Sequence, residues 1–187
     1  CALDRSGQVL CWGDNDRSQL GDGTTGSRPA AAIVRGLPKA KQIAAGTAHV
    51  CALLEDGAAR CWGDNDQGQL GDGTRARRLV PVPVHGLAGA AQLAAGAAFT
   101  CARLEGGGVR CWGDNGEGQL GDGSLRQQAL PVAVQAIDDA VEIAAGLEHA
   151  CARRRGGEVA CWGQRHDAPG VADVSPDAPV LVPEPQP

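Results

Sequence analysis

The side chains in this chain that could do chemistry are carboxylates in a stretch that occurs three times. Residues 61–74 read CWGDNDQGQLGDGT, and the segments fifty residues before and after read CWGDNDRSQLGDGT and CWGDNGEGQLGDGS. Each copy carries several acidic residues, such as Asp14, Asp16 and Asp22, which could form a carboxylate site or a calcium loop. Their spacing does not match the D-x-[DN]-x-[DN]-G pattern of a calcium loop.

Repetition also argues against catalysis at these carboxylates. The same pair would occur in each copy of the stretch, whereas features common to all repeats belong to the scaffold. The glycines permit turns, the asparagine is expected to accept left-handed backbone angles and to cap its own turn, and the glutamine can bind backbone groups. The residues given this structural role are Trp12, Trp62, Trp112 and Trp162; Gly13, Gly63, Gly113 and Gly163; Asn15, Asn65 and Asn115; and Gln19, Gln69 and Gln119.

The histidines offer no catalytic set. His49 and His149 share one repeat position with Phe99 between them, so we interpret both histidines as structural. His85 is expected at the solvated end of an outer strand, and the neighbouring His166 and Asp167 alone make no dyad. Neither G-x-S-x-G nor H-E-x-x-H occurs. We therefore expect a protein that is not an enzyme, with no cofactor and no metal site.

Composition narrows the class of protein. The chain has 187 residues, of which 43% are hydrophobic, enough for one domain with a packed core. Its net charge is −5 and it has no basic stripe, so we expect no nucleic-acid partner. No apolar run reaches the length of a membrane span, and no signal peptide is visible. The chain contains no methionine, which suggests a processed protein or a fragment.

A period of fifty residues organises the chain and indicates one supersecondary unit per repeat. Within residues 41–84, glycine or proline interrupts each apolar run after about five or six residues, too short for helix nucleation. An all-helical repeat is the alternative, because alanine favours helix. Four short strands per fifty residues correspond to a propeller blade. Pro81 and Pro83 cannot donate ladder hydrogen bonds, so their strand belongs on the outer edge.

The order AAG-x-x-H-x-CAL followed by G-x-V-x-CWG-x-N-x-x-GQLGDGT resembles the regulator of chromosome condensation repeat in its cysteine-bearing bacterial form. The resemblance covers the chain from Cys1 to about Pro183 and weakens after Gly163. It implies a β-propeller of about seven blades and about 350 residues. We therefore predict an all-β propeller fragment over 1–183, with blades at about 1–34 (lacking its inner strand), 41–84, 91–134 and 141–183, and a Pro-rich tail at 184–187. The missing blades of the same chain are one expected partner.

The eight cysteines are predicted to pair within blades. In CALDRSGQVLC, a three-residue turn ending in Gly7 gives a bulged hairpin that places Cys1 opposite Cys11. If Asp4 and Gln8 form a hydrogen-bonded pair, the cysteine Cα atoms lie about 4.5 Å apart, within reach of a disulfide. The predicted pairs are Cys1–Cys11, Cys51–Cys61, Cys101–Cys111 and Cys151–Cys161.

Other roles for the cysteines remain open at this stage. Buried free thiols and a lipidated Cys1 are alternatives, while a spacing of ten does not suit zinc ligands. Disulfides would imply an oxidising compartment, hence an extracellular, cell-surface or periplasmic protein.

Function is expected where the repeats differ. The variable segments are TTGSRP, TRARRL and SLRQQA after GDG, and LPKAK, LAGAA and IDDAV before the inner strand. Arg75, Arg77 and Arg78 form the sharpest charge cluster and are the predicted partner-binding residues. We predict an exported, non-catalytic module whose loops bind a protein or a carbohydrate; the resembling family includes a secreted bacterial inhibitor of β-lactamases. The alternatives are a nucleotide exchange factor for a small GTPase, which is the family's eukaryotic role, and a purely structural surface repeat.

Overall fold

Four antiparallel sheets make up the part of the chain that the computed structural model describes, residues 1–164 and 179–182. The predicted all-β class is confirmed, and the helical alternative is wrong. The first sheet contains β1 (Ala2–Leu3), β2 (Val9–Gly13) and β3 (Arg28–Ile33). The second contains β4 (Ala40–Ala45), β5 (His49–Leu54), β6 (Ala59–Gly63) and β7 (Arg78–Pro83), and the third contains β8 (Ala90–Ala95), β9 (Phe99–Leu104), β10 (Val109–Gly113) and β11 (Gln128–Ala133). The fourth contains β12 (Ala140–Ala145), β13 (His149–Arg154), β14 (Val159–Gly163) and β15 (Val180–Val182).

Each sheet is one blade whose strands follow one another in space as in sequence. Blade 1 has three strands, because β1 corresponds to the second strand of the other blades, as the start of the sequence within a repeat predicts. The predicted blade limits stay predictions, and the predicted tail at 184–187 lies outside the described residues. The described residues contain no helix of the length and hydropathy that crossing a membrane would require.

The hairpin at the centre of each blade forms as the sequence indicates. In blade 1, the Asp4 amide donates to the Gln8 carbonyl at 2.9 Å, and Gly7 has a φ of +83°. In blade 2, Cys51 lies directly opposite Cys61. All four predicted disulfides are present, with Cα–Cα separations of 4.0 to 4.1 Å. Each blade is therefore crosslinked across this hairpin, which joins the two middle strands in blades 2 to 4 and joins β1 to β2 in blade 1.

The connections between strands lie on two opposite faces of the arc. One face carries the long loops 14–27, 64–77 and 114–127 together with the short inner turns, and the Asp64 amide donates to the Ala48 carbonyl there at 2.9 Å. We call it the loop face. The other, which we call the hairpin face, carries the hairpin turns and the segments that enter the next blade, and the Ala90 amide donates to the Gly57 carbonyl there at 3.1 Å. The two sets of variable segments therefore lie on opposite faces.

The hydrophobic core lies between blades, where a tryptophan forms the main contact. Trp112 of blade 3 is fully buried, and its indole Nε1 donates to the Gln69 carbonyl of blade 2 at 2.9 Å. The ring covers Gly71, where a Cβ atom would lie 2.8 Å from Nε1. Trp62 and Trp162 make the same hydrogen bond to the blades before them, at 3.0 and 2.9 Å.

Inner strands are joined across blades by a glutamine side chain. Gln42 donates from Nε2 to the Leu93 carbonyl and accepts from the Leu93 amide at Oε1, both at 2.9 Å. Gln92 repeats this pair of bonds with Ile143 in blade 4. Each glutamine thus satisfies two backbone groups of the next blade, which fixes the distance between neighbouring inner strands.

The same substitution at Trp12 and at Trp62 measures how much the contact between blades contributes to the free energy of unfolding. Trp62→Phe removes a buried donor and leaves space in a closed core, so we expect a loss of about 2–4 kcal/mol in the free energy of unfolding. Trp12 is 46% exposed, and Trp12→Phe is expected to cost less than about 1 kcal/mol. Chemical denaturation of both variants checks this. Equal losses would show that the tryptophans act within their own blades.

Candidate functional site

The long loop of each blade is held by an asparagine at its centre. The side chain of Asn65 is fully buried; its Oδ1 accepts from the Leu70 amide at 3.0 Å, and its Nδ2 donates to the carbonyls of Thr74 and Ala76 at 3.1 and 3.0 Å. Asn15 and Asn115 make the equivalent contacts. The asparagine therefore fixes the two ends of the loop against each other, which supports its structural interpretation.

The asparagine does not use the left-handed backbone conformation that it can tolerate. Positive φ angles occur three residues later, at Ser18 with φ 64° and at Gly68 and Gly118, and not at Asn15. Glycine occupies this position in two of the three loops because it adopts such angles without steric cost. The asparagine is required for its hydrogen bonds rather than for its backbone conformation.

The glutamine and the carboxylates of the long loop form hydrogen bonds with other groups of the same loop. Gln69 accepts from the Gln67 amide at 3.0 Å and donates to Asp64 Oδ2 at 2.8 Å. Burial alone would raise the pKa of Asp72, but hydrogen bonds from Thr74 and Arg78 outweigh burial and hold that pKa below its ordinary value. Among the described residues no group of three metal-ligating side chains comes together. The repeated carboxylates are parts of the loop framework.

Arg78 belongs to this framework, which distinguishes it from Arg75 and Arg77 in the cluster predicted to bind a partner. Its guanidinium lies 2.7 Å from Asp72 Oδ2, and the Asp72 side chain is 4% exposed. Arg28 and Asp22 form the equivalent pair in blade 1 at 2.9 Å. An arginine that recurs opposite a buried carboxylate is positioned to stabilise the loop, because removing it would leave that charge buried and unpaired.

Arg75 and Arg77 lie at the exposed tip of the blade 2 loop. Arg77 Nη1 donates to the Asp16 carbonyl of blade 1 at 2.8 Å, while Arg75 makes no side-chain hydrogen bond with the described residues. Sequence reasoning missed Arg17, which reaches from blade 1 to Asp64 at 3.2 Å. The blade 3 tip lies in the variable segment SLRQQA, and Leu125 there is 54% exposed. Contacts between blades cannot be read from the spacing within one repeat, so no signal identified Arg17.

His49 is a structural residue at the contact between blades 2 and 3. It is fully buried, and its Nε2 lies 2.9 Å from Thr100 Oγ1. The Thr100 hydroxyl donates to the Gln69 carbonyl at 3.0 Å, so it accepts a hydrogen bond from His49 Nε2–H. Nδ1 has no hydrogen-bond partner, and burial lowers the pKa of His49 to about 4. Phe99 occupies the same position one blade later, as its alignment with His49 indicates.

Of the other sequence-predicted groups, His166 and Asp167 lie outside the described residues.

The second set of variable segments contributes to a groove on the hairpin face. This groove has a volume of about 350 Å³ and is open to solvent. Its lining includes Pro38 and Lys39 from the segment that enters blade 2, and Glu55, Asp56 and Arg60 from the hairpin of that blade. Both signs of charge are present within the groove, so it does not favour a ligand of one charge.

The blades and their loops define a repeat β-propeller in which a constant framework carries variable loop tips. The chain belongs to the regulator of chromosome condensation (RCC1) repeat family. One model of this repeat matches residues 6–53, 56–103 and 106–153, and a second matches residues 40–69 and 90–119. No curated protein matches the chain in sequence.

Solved structures of this family share the fold. Human WBSCR16 superposes with a TM-score of 0.81 at 22% identity over 96% of this chain and 48% of its own. Yeast RCC1 (Prp20), in a crystal structure with Kap60, gives 0.81 at 24% identity over 97% and 46%. Prp20p from Saccharomyces cerevisiae, reported with its binding properties to Gsp1p and histones, gives 0.76 at 25% identity over 98% and 49%. The chain spans about half the length of each.

The burial of His49 predicts an acid-sensitive contact between blades 2 and 3. Its folded pKa of about 4 lies below the ordinary value of 6.5, so the unfolded chain binds a proton that the folded chain excludes. Its contribution is fully present above about pH 6.5 and is lost as the pH falls towards 4. Between about pH 7 and pH 5, we expect a decrease of about 2 kcal/mol in the free energy of unfolding from this residue.

The double variant His49→Phe/Thr100→Ala reproduces the pair Phe99 and Ala150 of the next blade, and should remove this decrease. His85→Gln, at an exposed position, serves as the control and should leave it unchanged. Chemical denaturation at the two pH values measures the difference. If the double variant keeps the pH dependence of the wild type, another group is responsible.

Proposed function

We propose that this protein is a non-catalytic, exported binding module that presents its loop face to a partner protein. The observation that carries the proposal is the contrast between framework and tip within one loop. Asn65, Gln69 and Asp72 hold the backbone by contacts that recur in blade 3, while the tip changes from Thr25 to Arg75 to Leu125. A loop framework that is constant from blade to blade, beneath tips that vary, is the arrangement expected of a binding surface on a rigid scaffold.

The relatives support a protein as partner. Yeast RCC1 (Prp20) has been crystallised with Kap60, and Prp20p has binding properties to Gsp1p and histones. A carbohydrate is less well supported, because four of the five aromatic side chains are buried and only Trp12, which is 46% exposed, could stack on a sugar ring. The likeness to Prp20p, at 25% identity, favours a second candidate, a nucleotide exchange factor for a small GTPase.

The disulfides support export. Bonds of this kind persist in oxidising compartments and are rare in the cytosol. Four of them, one in each blade, crosslink the two strands of a hairpin, so an oxidising environment would hold each hairpin closed. An extracellular, cell-surface or periplasmic location fits this chemistry better than the cytosolic or nuclear setting of an exchange factor.

The loop tips indicate the chemistry of the partner. Arg75, Arg77 and Arg126 are exposed on neighbouring blades, and Leu125 lies beside Arg126 with 54% of its surface exposed. The same long loops also expose Asp66 and Glu117 nearer their starts. The tips themselves combine cations with an apolar side chain, which suits a partner that offers carboxylates beside an apolar contact. Arg78 is excluded from this set because it is paired with Asp72.

The test compares two pairs of exposed arginines on opposite faces. Arg75→Ala/Arg77→Ala alters the loop face, whereas Arg5→Ala/Arg155→Ala removes the same charge from hairpin turns. Each pair should change the free energy of unfolding by no more than about 0.5 kcal/mol per residue. Proteins captured from the native secretome by the wild type and by the hairpin pair, but not by the loop pair, are the expected partners.

Titration of such a partner at two salt concentrations then measures the electrostatic part. Binding by the wild type should weaken with added salt, and the loop pair should bind less tightly with a flatter dependence on salt. Equal capture by both variants, or equal salt dependence, would contradict binding through the loop face. A hydrolytic or transfer activity that disappears on replacing one loop carboxylate, with the fold intact, would contradict the non-catalytic assignment.

A further inference from the structure

The outer strand of each blade leaves one edge of its sheet open. In blade 1 the Val34 amide donates inwards to the Val9 carbonyl at 2.9 Å. Backbone groups alternate in direction along a strand, so those of Ala32 also point inwards, and those of Ala31 and Ile33 point away from the sheet. Blade 2 shows the same alternation, since the Leu79 carbonyl accepts from the Gly23 amide outside its own sheet at 2.9 Å.

The outer strands of blades 1 to 3 all carry proline on this edge, but in β3 the proline is Pro29, near the start of the strand, so the positions that follow it are free of proline. The positions equivalent to Ala31 and Ile33 are Pro81 and Pro83 in β7, and Pro131 occupies the first of them in β11. Proline has no N–H to donate, and it is a common protection of exposed edges. β3 therefore keeps two successive outward-facing residues, Ala31 and Ile33, that each offer a donor and an acceptor.

The side chains of β3 leave this edge accessible. Ala30 and Ala31 are exposed and small, and Ile33 is 58% exposed. Pro81, by contrast, is buried. An incoming backbone could therefore approach β3 closely and place one apolar side chain against Ile33.

Charge distinguishes the two ends of β3. Arg28, at its start, is neutralised by Asp22 at 2.9 Å. Arg35, just beyond its end, is exposed and forms no ion pair with the described residues. The unbalanced positive charge therefore lies at the carboxyl end of the strand, where it would attract a carboxylate.

We propose that the outer edge of β3 is a site for β-strand addition that binds an extended peptide segment of a partner protein. The segment pairs antiparallel to β3, continuing the alternation of the blade, through hydrogen bonds at Ala31 and Ile33. In this orientation its amino end lies beside Arg35. The segment thus carries acidic residues first and alternating apolar residues after them. This surface lies on the circumference of blade 1 and is independent of the loop face.

The peptide acetyl-Asp-Glu-Val-Thr-Val-Thr-amide is the probe. Titrated into the oxidised, isotope-labelled protein, it should cause saturable shifts of the Ala31 and Ile33 amide resonances and slow their hydrogen exchange. The reversed peptide, acetyl-Thr-Val-Thr-Val-Glu-Asp-amide, places its carboxylates beside the paired Arg28 and should bind more weakly.

Two reciprocal variants test the role of proline. Ala31→Pro installs the residue that blades 2 and 3 carry at this position, and should weaken binding by about tenfold or more, the value of one lost hydrogen bond in a desolvated contact. Ile33→Pro, which mirrors Pro83, is the second such variant. Pro131→Ala should create a new site on β11, seen as added shifts at residues 131 and 133, because Ala133 already has a free donor.

Three results would overturn the proposal. The first is the absence of saturable change at the two amides with millimolar peptide, and the second is equal binding by Ala31→Pro with its fold intact. The third is protection of Ala31 and Ile33 without peptide that increases with protein concentration, which would assign the edge to a second copy of the chain.

Discussion

The hydrogen bond from a tryptophan to the blade before it is the contact on which the arrangement of the blades depends. Trp112 closes the core between blades 2 and 3 with its ring, and its indole N–H satisfies the Gln69 carbonyl within that core. The glycine beneath the ring, Gly71, is required because a side chain there would occupy the same space. Together with the bonds of Gln42 to Leu93, this contact fixes the distance and the orientation of two sheets that have no strand in common.

This contact explains why the repeated segment, residues 61–74 and its two equivalents, is part of the scaffold rather than a functional site. Its tryptophan, glycines, asparagine and glutamine each make contacts that recur from blade to blade, and its carboxylates are held by Thr74, Arg78 and their equivalents. What remains free to vary is the loop tip. Variable tips on a constant framework form a surface suited to recognition. The outer edge of β3 is a separate feature, because Ala31 and Ile33 stand there at positions where β7 has two prolines and β11 has one.

The period, the hairpins and the disulfide pairs could be predicted because they depend on residues within one repeat. Gly7 and the spacing of Cys1 and Cys11 determine a local hairpin, whatever lies beside it. The contacts between blades could not be predicted in this way, because the partner of Trp112 is forty-three residues away. For the same reason the sequence grouped Arg78 with Arg75 and Arg77. The folded loop places Arg78 opposite Asp72, and the spacing of residues within the repeat does not indicate this pair.

The central claim, that packing of tryptophan on glycine between blades sets the structure, is tested most directly by two glycine substitutions. Gly71 and Gly86 have nearly the same backbone, with φ angles of +69° and +71°, but a Cβ atom at Gly71 meets Trp112 while one at Gly86 meets nothing within 4 Å. Both alanine variants carry the backbone strain of about 1–2 kcal/mol, so the difference between their free energies of unfolding measures the crowding at Gly71, where the Cβ atom would lie 2.8 Å from Trp112 of the next blade and 2.9 Å from Val84 of its own. The account predicts that Gly71→Ala is less stable than Gly86→Ala by about 2 kcal/mol or more. Equal losses in the two variants would contradict it.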